Sequence, residues 1–196
     1  MTRPRSARLE RKTRETQIAL ALELDGSGAY EVSTGIPFFD HMLESFAKHA
    51  LWDLRLAAKG DLAVDAHHTV EDVGIALGQA LREALGSAEG IRRYGSTLLP
   101  MAEAKVEVAV DVSNRPYLVY RVDLANDRIG GFDVSLVEDF WYAFSQHAGV
   151  DLHVELRYGK SPHHVVEAIF KATARALRAA TAAERGAGVP STKGTL

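Results

Sequence analysis

The strongest constraint in this sequence is a short motif, His-His-x-x-Glu (HHxxE), that occurs twice. The first copy occupies residues 67–71 and the second occupies residues 163–167. Each copy opens a segment with helical periodicity, and the two segments share further alanine, leucine and arginine positions after the motif. We interpret this match as an internal duplication, which predicts a chain built from two similar halves.

The spacing inside the motif is typical of a metal site. On an α-helix, residues i and i+4 lie on one face, so the first histidine and the glutamate of each copy can bind one ion. The second histidine points about 100° away, toward a different ion. Helix capping or packing is the alternative for a single His pair, but its repetition in the same helical context favours metal binding. The residues concerned are His67, His68, Glu71, His163, His164 and Glu167.

Composition narrows the kind of site. The chain has 196 residues and no cysteine, which excludes disulfides, cysteine-zinc sites and thiol nucleophiles. Imidazole and carboxylate ligands suit octahedral Mn, Fe, Co or Ni better than a structural zinc. Apolar residues make up 46% and charged residues 25%, and a net charge of -3 gives no general attraction to nucleic acid or anionic membranes. We therefore expect a cytoplasmic protein with neither a nucleic-acid nor a membrane partner.

Hydrophobic periodicity predicts an α+β chain of two halves, residues 1–90 and 91–181, followed by a flexible tail at residues 182–196. In the first half we expect strands at residues 16–24, 29–34 and 51–58, the first two forming a hairpin, and helices at residues 38–49 and 69–85. In the second half we expect strands at residues 104–112, 117–124 and 152–158 and helices at residues 134–146 and 163–181. The residues before 16 are expected to be an exposed lead-in, and residues 86–100 a link.

Aligning the halves outside the motif identifies one further candidate ligand. Phe46 and His49 match Phe144 and His147 at a common offset. Carried back along the same helix, that offset places Asp139 opposite His41. If His41 binds a metal ion in one site, Asp139 is its pseudo-symmetric counterpart in the other.

Several separated motifs together resemble one known family. Besides the two HHxxE copies, they are GIPFFDHML at residues 35–43, NRPY at 114–117 and PSTKG at 190–194. In this order, and over nearly the whole chain, they resemble imidazoleglycerol-phosphate dehydratase of histidine biosynthesis. The resemblance implies two βββαβα-like halves similar to the second domain of ribosomal protein S5, with sheets outside and helices packed between them. It also implies a homo-oligomer, in which trimers assemble into a 24-subunit shell.

The resemblance further implies a reaction and its residues. The reaction is the manganese-dependent dehydration of D-erythro-imidazole glycerol phosphate to imidazole acetol phosphate, with two Mn²⁺ per subunit. The family's metal ligands fall on His41, His67, His68, Glu71, His163, His164 and Glu167. Its substrate contacts fall on Glu15, Arg93, Arg115, Lys171, Ser191 and Lys193. We expect Glu15 to be the general base, Glu71 and Glu167 to take part in catalysis, and the cationic residues to hold the phosphate.

One position departs from the family pattern. Family members commonly have histidine where this chain has Asp139. Because carboxylate oxygen is a competent manganese ligand, we expect Asp139 to take that place, with Glu138 as the alternative. Spacing then assigns His67, Glu71, Asp139 and His164 to one ion, and His41, His68, His163 and Glu167 to the other.

Two other classes of function stay open. A dinuclear metallohydrolase would use similar ligands, although it would normally show Asp-rich bridging motifs, which this sequence lacks. An RNA-binding module is suggested only by the ribosomal kinship of the fold. The acidic charge balance and the lack of a basic stretch with interleaved aromatic residues argue against that module.

Overall fold

The structure, a computed structural model, describes residues 4–124, 128–184 and 188–191. The first half contains β1 (Ser6–Lys12), β2 (Thr16–Glu23), β3 (Tyr30–Ser33), α1 (Pro37–Ala50), β4 (Asp53–Gly60) and α2 (His67–Leu85). The second half contains β5 (Tyr94–Met101), β6 (Ala104–Asp111), β7 (Tyr117–Arg121), β8 (Arg128–Ile129), β9 (Phe132–Asp133), α3 (Leu136–Ala148), β10 (Asp151–Tyr158) and α4 (Pro162–Thr181). Both halves follow the order βββαβα, and the second also carries the short β8–β9 hairpin.

Each half forms one four-stranded sheet, and the two sheets have the same strand order. That order is β1-β2-β4-β3 in the first sheet and β5-β6-β10-β7 in the second. In both sheets the last pair of strands is parallel, and the other pairs are antiparallel. The expected α+β fold of two duplicated βββαβα halves is therefore confirmed. The boundaries of the halves at residues 90 and 181 stay a prediction.

The pairing of β3 differs from the sequence expectation. The hairpin predicted between β2 and residues 29–34 is wrong, because β3 pairs in parallel with β4. The helix α1 connects these two strands, and a helical crossover is the usual connection between parallel strands. As a result β4, and not β3, lies beside β2.

Two edge strands are absent from the sequence prediction. The expected lead-in contains β1, and the expected link contains all of β5 except its last residue. Few side chains of either strand are buried. In β1 only Ala7 is fully buried, and in β5 exposed residues alternate with half-buried ones. Edge strands of this kind show weak apolar alternation, which explains why the period of the sequence did not reveal them.

The four helices lie between the two sheets and form the core. Within each half, α2 packs on β1 and β2, and α4 packs on β5 and β6. Across the halves, α2 packs against α3, and α1 packs against α4. Both pairs have their N-terminal ends together, so all four helix starts lie at one end of the molecule. In the described part of the chain, no helix is long and apolar enough to cross a membrane.

Gly95 lets β5 lie directly on α4. A Cβ atom at this position would be 2.0 Å from the carbonyl oxygen of Ala176 and 2.8 Å from the backbone nitrogen of Ala180. Because backbone atoms of a packed helix cannot easily move aside, Gly95→Ala is expected to destabilise the fold by about 3 kcal/mol and to lower Tm by roughly 6–12 °C. Gly131→Ala is the matched control, since nothing lies within 4 Å of its added Cβ. Equal Tm values for the two variants in thermal unfolding would contradict this packing.

Candidate functional site

A first cluster of side chains, His41, His163 and Glu167, lies where α1 and α4 begin. The Nε2 atoms of His163 and His41 lie 3.2 and 3.7 Å from Oε2 of Glu167. One ligand atom from each of the three residues lies within 4.8 Å of the other two. Nitrogen and oxygen donors held about 2.0–2.2 Å from one ion are up to about 4.4 Å apart. Small side-chain adjustments would therefore let this cluster hold a single ion.

Glu167 is the buried member of the first cluster. Its side chain is 10% exposed, whereas that of His41 is 50% exposed. Burial raises the pKa of Glu167. The hydrogen bond from Lys171 and the charges of Lys171 and His41 lower it by more than burial raises it, so the pKa of Glu167 lies below its ordinary value. The Nζ atom of Lys171 lies 2.6 Å from Oε1 of Glu167. The carboxylate is therefore ionised at neutral pH, and the predicted substrate contact Lys171 lies beside the first cluster.

A second cluster, His67, Glu71 and Asp139, lies where α2 and α3 begin. Nε2 of His67 lies 3.8 Å from Oε2 of Glu71, and Nδ1 of His67 lies 3.4 Å from Oδ2 of Asp139. Because different ring nitrogens face the two carboxylates, a single ion would require the ring or one carboxylate to turn. Glu138 is exposed. Burial raises the pKa of Tyr120, and the charge of Glu138 raises it further, which places Glu138 on the side of Tyr120. Asp139 is thus the one of the two acidic neighbours that faces His67.

The second histidine of each motif is turned toward a carboxylate outside the two clusters. Nδ1 of His68 lies 3.0 Å from Oδ2 of Asp61 and 3.8 Å from Oε2 of Glu15. Nδ1 of His164 lies 2.7 Å from Oε2 of Glu103. Among the described residues, no ion pair joins His68 to the first cluster or His164 to the second. The single chain therefore gathers three of the four residues that spacing assigned to each ion.

Asp61 and Glu103 are site residues that the sequence did not reveal. Asp61 follows β4, and Glu103 lies in the turn between β5 and β6. Hydrogen bonds from the N–H of Ser161 and from His164 lower the pKa of Glu103 to about 2. A carboxylate on Nδ1 orients an imidazole and leaves Nε2 for a metal ion. Asp61 precedes the first HHxxE motif by a few residues, whereas Glu103 is far from the second motif in the sequence, so no local signal identifies the pair.

Three predicted phosphate contacts, Arg93, Arg115 and Ser191, lie at the opposite end of the second sheet. β5 begins directly after Arg93 and ends at the turn that carries Glu103. A strand of 8 residues is roughly 26 Å long, which separates these two positions. Arg115 lies in the β6–β7 connection, at the same end as Arg93, and its side chain is exposed. One small substrate cannot contact both ends of a single chain.

Arg93 also holds part of the C-terminal segment in place. Its Nε and Nη2 atoms donate to the two carboxylate oxygens of Asp111 at 2.6 and 3.0 Å. Nη1 donates to the carbonyl oxygen of Pro190 at 2.8 Å, which brings the neighbouring Ser191 to this end of the molecule. The remaining predicted phosphate contact, Lys193, lies outside the described residues.

A cavity of about 800 Å³ lies next to the starts of the helices. Its wall includes Phe38 at the start of α1, Ala66 directly before α2, Leu136 at the start of α3 and His163 on α4. Ligand pockets in proteins are commonly about 300–1,000 Å³. The cavity is large enough for a small molecule to reach the imidazole of His163.

Comparison with known proteins identifies one family. The family model described as imidazoleglycerol-phosphate dehydratase matches residues 34–177. A protein of that name from Citrifermentans bemidjiense is 55% identical over 193 residues, which cover 98% of this chain and 99% of the relative. Another from Ruegeria pomeroyi is 54% identical over 194 residues, which cover 98% of this chain and 100% of the relative.

Solved structures give the same result. The crystal structure of imidazoleglycerol-phosphate dehydratase from Staphylococcus aureus superposes with a TM-score of 0.83 at 36% identity, covering 91% of this chain and 99% of that chain. The structure from Pyrococcus furiosus in complex with (S)-C348 has a TM-score of 0.83 at 38% identity, covering 96% of this chain and 100% of that chain. The similarity thus extends over nearly the whole of each chain.

Proposed function

Because the chain belongs to the imidazoleglycerol-phosphate dehydratase family, lyases of histidine biosynthesis, we propose that it dehydrates D-erythro-imidazole glycerol phosphate to imidazole acetol phosphate with the help of two manganese ions. The observation that carries this proposal is the duplicated cluster of imidazole and carboxylate groups at the helix starts. The reaction removes a carbon-bound proton and the hydroxyl group of a neighbouring carbon, and neither leaves readily in neutral water. A cytoplasmic location is part of the same proposal.

The donor set of each cluster fits a hard or borderline divalent cation. We propose that the first cluster holds one ion and the second cluster the other. His164 would complete the second cluster and His68 the first, each oriented through Nδ1 by its carboxylate partner. Bound manganese would supply Lewis-acid polarisation of the substrate hydroxyl and imidazole. Glu71 and Glu167 contribute to catalysis as the glutamate ligands of the two proposed ions.

Glu15 is the proposed general base. It lies in the turn between β1 and β2, its side chain is 53% exposed, and its carboxylate lies 3.8 Å from Nδ1 of His68. The matching turn of the second half carries Glu103, whose carboxylate is engaged by His164 and by backbone N–H groups. Asp61 makes the closer contact with His68. The carboxylate of Glu15 is therefore available to accept a carbon-bound proton from the substrate.

A second copy of the chain would complete the site. Three of the proposed phosphate contacts, Arg93, Arg115 and Ser191, lie at the opposite end of the molecule from the HHxxE motifs. The second histidines face carboxylates outside the clusters that they are proposed to complete. We therefore propose a homo-oligomer in which the motif end of one subunit meets the phosphate end of another. Trimers that assemble into a 24-subunit shell, as the family resemblance implies, would satisfy this requirement.

Mixing two inactive variants is expected to restore activity. Glu15→Gln removes the base from the motif end, and Arg115→Ala removes a phosphate contact from the other end. If a site takes Glu15 from one subunit and Arg115 from another, each of these residues is intact with a chance of about one half in an equal random mixture. About a quarter of the sites then have both residues, so about a quarter of wild-type turnover should return. The variants are mixed after metal removal, which should weaken the assembly, and then reloaded with manganese.

Each variant carried alone through the same removal and reloading is the control and should stay inactive. A mixture that exchanges subunits, as mass spectrometry of labelled chains can verify, but recovers no activity would show that both residues act within one chain.

The proposed function is tested with purified, manganese-loaded protein and D-erythro-imidazole glycerol phosphate. Formation of imidazole acetol phosphate, its loss on chelation and its return with manganese are the expected results. Fully loaded protein that forms no product would overturn the proposal. Hydrolysis of simple phosphate or carboxylic esters without dehydration would support a dinuclear metallohydrolase, the alternative that uses the same kinds of ligand.

A further inference from the structure

A buried carboxylate, Asp72, connects the turn that carries Glu15 to the first HHxxE helix. Asp72 lies on α2, and its side chain is 10% exposed. The hydroxyl of Thr16 donates a hydrogen bond to Oδ2 of Asp72, and Arg11 donates to Oδ1 from Nε at 3.1 Å and from Nη2 at 2.7 Å. Arg11 belongs to β1 and Thr16 to β2. Both strands that lead into the turn are therefore attached to one residue of the helix.

The turn itself has its own hydrogen bonds. Oγ1 of Thr13 accepts from the N–H groups of Glu15 at 3.2 Å and Thr16 at 2.9 Å. The N–H of Thr13 donates to the carbonyl oxygen of Thr16 at 2.9 Å. These bonds restrict the backbone of Glu15 relative to Thr16. The position of the Glu15 carboxylate relative to α2 thus depends on the contact between Thr16 and Asp72.

The second half of the chain shows that the fold does not require this carboxylate. The residue that corresponds to Asp72 in the second HHxxE helix is Ala168, which is fully buried. A buried carboxylate loses its hydration, and hydrogen bonds or ionic partners must compensate for that loss. At this position only the first of the two matched helices carries a carboxylate. It is the helix packed against the turn of Glu15.

We propose that Asp72, Thr16 and Arg11 are positioning residues that hold Glu15 in place for proton removal. This inference rests on the proposed function, because it gives Glu15 the role of base. If the turn loosens, the carboxylate spreads over a wider range of positions, and a misplacement of about 1 Å can lower a rate by up to about 10²-fold. The proposed metal ligands and all the proposed substrate contacts except Glu15 are other residues, so kcat should fall while KM and metal content stay nearly unchanged.

The test compares Thr16→Val with Thr16→Ser. Valine keeps the branched shape of the buried side chain and removes the hydroxyl, whereas serine keeps the hydroxyl. Thr16→Val is expected to lower kcat by about 10- to 100-fold with little change in KM, and Thr16→Ser to stay within about threefold of wild type. Metal content and thermal unfolding are measured on the same samples. In a Glu15→Gln background, Thr16→Val should cause no further loss, because Thr16 acts through Glu15.

Equal kcat values for the folded valine and serine variants would overturn the inference. Loss of metal from Thr16→Val would also overturn it, because the lower rate would then come from the metal site. An equal loss of rate on adding Thr16→Val to the wild type and to Glu15→Gln would overturn it too, because Thr16 would then not act through Glu15. Wild-type activity separates these outcomes from a failure of the proposed function. If the wild type does not dehydrate imidazole glycerol phosphate, the proposed function and this inference both fail. If it does, equal valine and serine variants refute this inference alone.

Discussion

Glu15→Gln is expected to lower turnover by about 10²–10⁴-fold, while metal content and substrate affinity stay close to wild type. Glutamine keeps the size of the side chain and its ability to form hydrogen bonds, but it cannot take up a proton as a carboxylate does. The 3.8 Å between Glu15 and His68 places the carboxylate beside a proposed metal ligand, where a bound substrate would be in reach. The measurement is kcat and KM for D-erythro-imidazole glycerol phosphate, with metal analysis of the same preparations.

Glu10→Gln is the matched control for this prediction. Glu10 lies on β1, one of the two strands that flank the turn of Glu15. Its side chain is exposed, and the substitution removes the same charge. Its turnover should equal that of the wild type. Near-normal turnover of Glu15→Gln would reject Glu15 as the base. A parallel loss of metal and activity would show instead that Glu15 acts by supporting His68.

The parts of the site that could be predicted from the sequence depend on local geometry. His67 and Glu71, like His163 and Glu167, lie close together because residues four apart share a helix face, whatever the rest of the chain does. The location of Asp139 beside His67 required a second kind of information, the duplication. Because the two halves share one strand order, residues that match at a constant offset in the sequence occupy equivalent positions in the two halves.

The remaining parts depend on contacts between residues far apart in the sequence. Asp61 and Glu103 meet the second histidines only after strands and helices have packed, and no short-range pattern assigns those partners. The same holds for Asp72 and its partners Arg11 on β1 and Thr16 on β2. Arg93 is a further example, because its guanidinium is already engaged by Asp111 and by the carbonyl of Pro190. Its proposed role in phosphate binding would have to compete with these contacts.

Asp139→Ala is expected to remove about one metal ion per subunit and most of the activity, because it leaves the second cluster with one imidazole and one carboxylate. The wild-type clusters already differ, since the second has two carboxylates and the first has one. Carboxylate oxygen is a harder ligand than imidazole, so the second site should prefer manganese over nitrogen-seeking ions. The shorter side chain of aspartate should also make this site hold its ion less tightly than the first site.

Two further substitutions separate ligation from packing and charge. Asp139→His restores a nitrogen ligand and should keep both ions, with affinity at this site shifted toward softer metals. Glu138→Ala removes the neighbouring charge and should also keep both ions, because Glu138 is exposed and does not face His67. Metal content per subunit after gel filtration is compared with turnover for all three variants. If Asp139→Ala binds two ions with unchanged affinity and turns over normally, Asp139 is not a ligand. If Glu138→Ala alone loses an ion, Glu138 takes the place of the family's histidine.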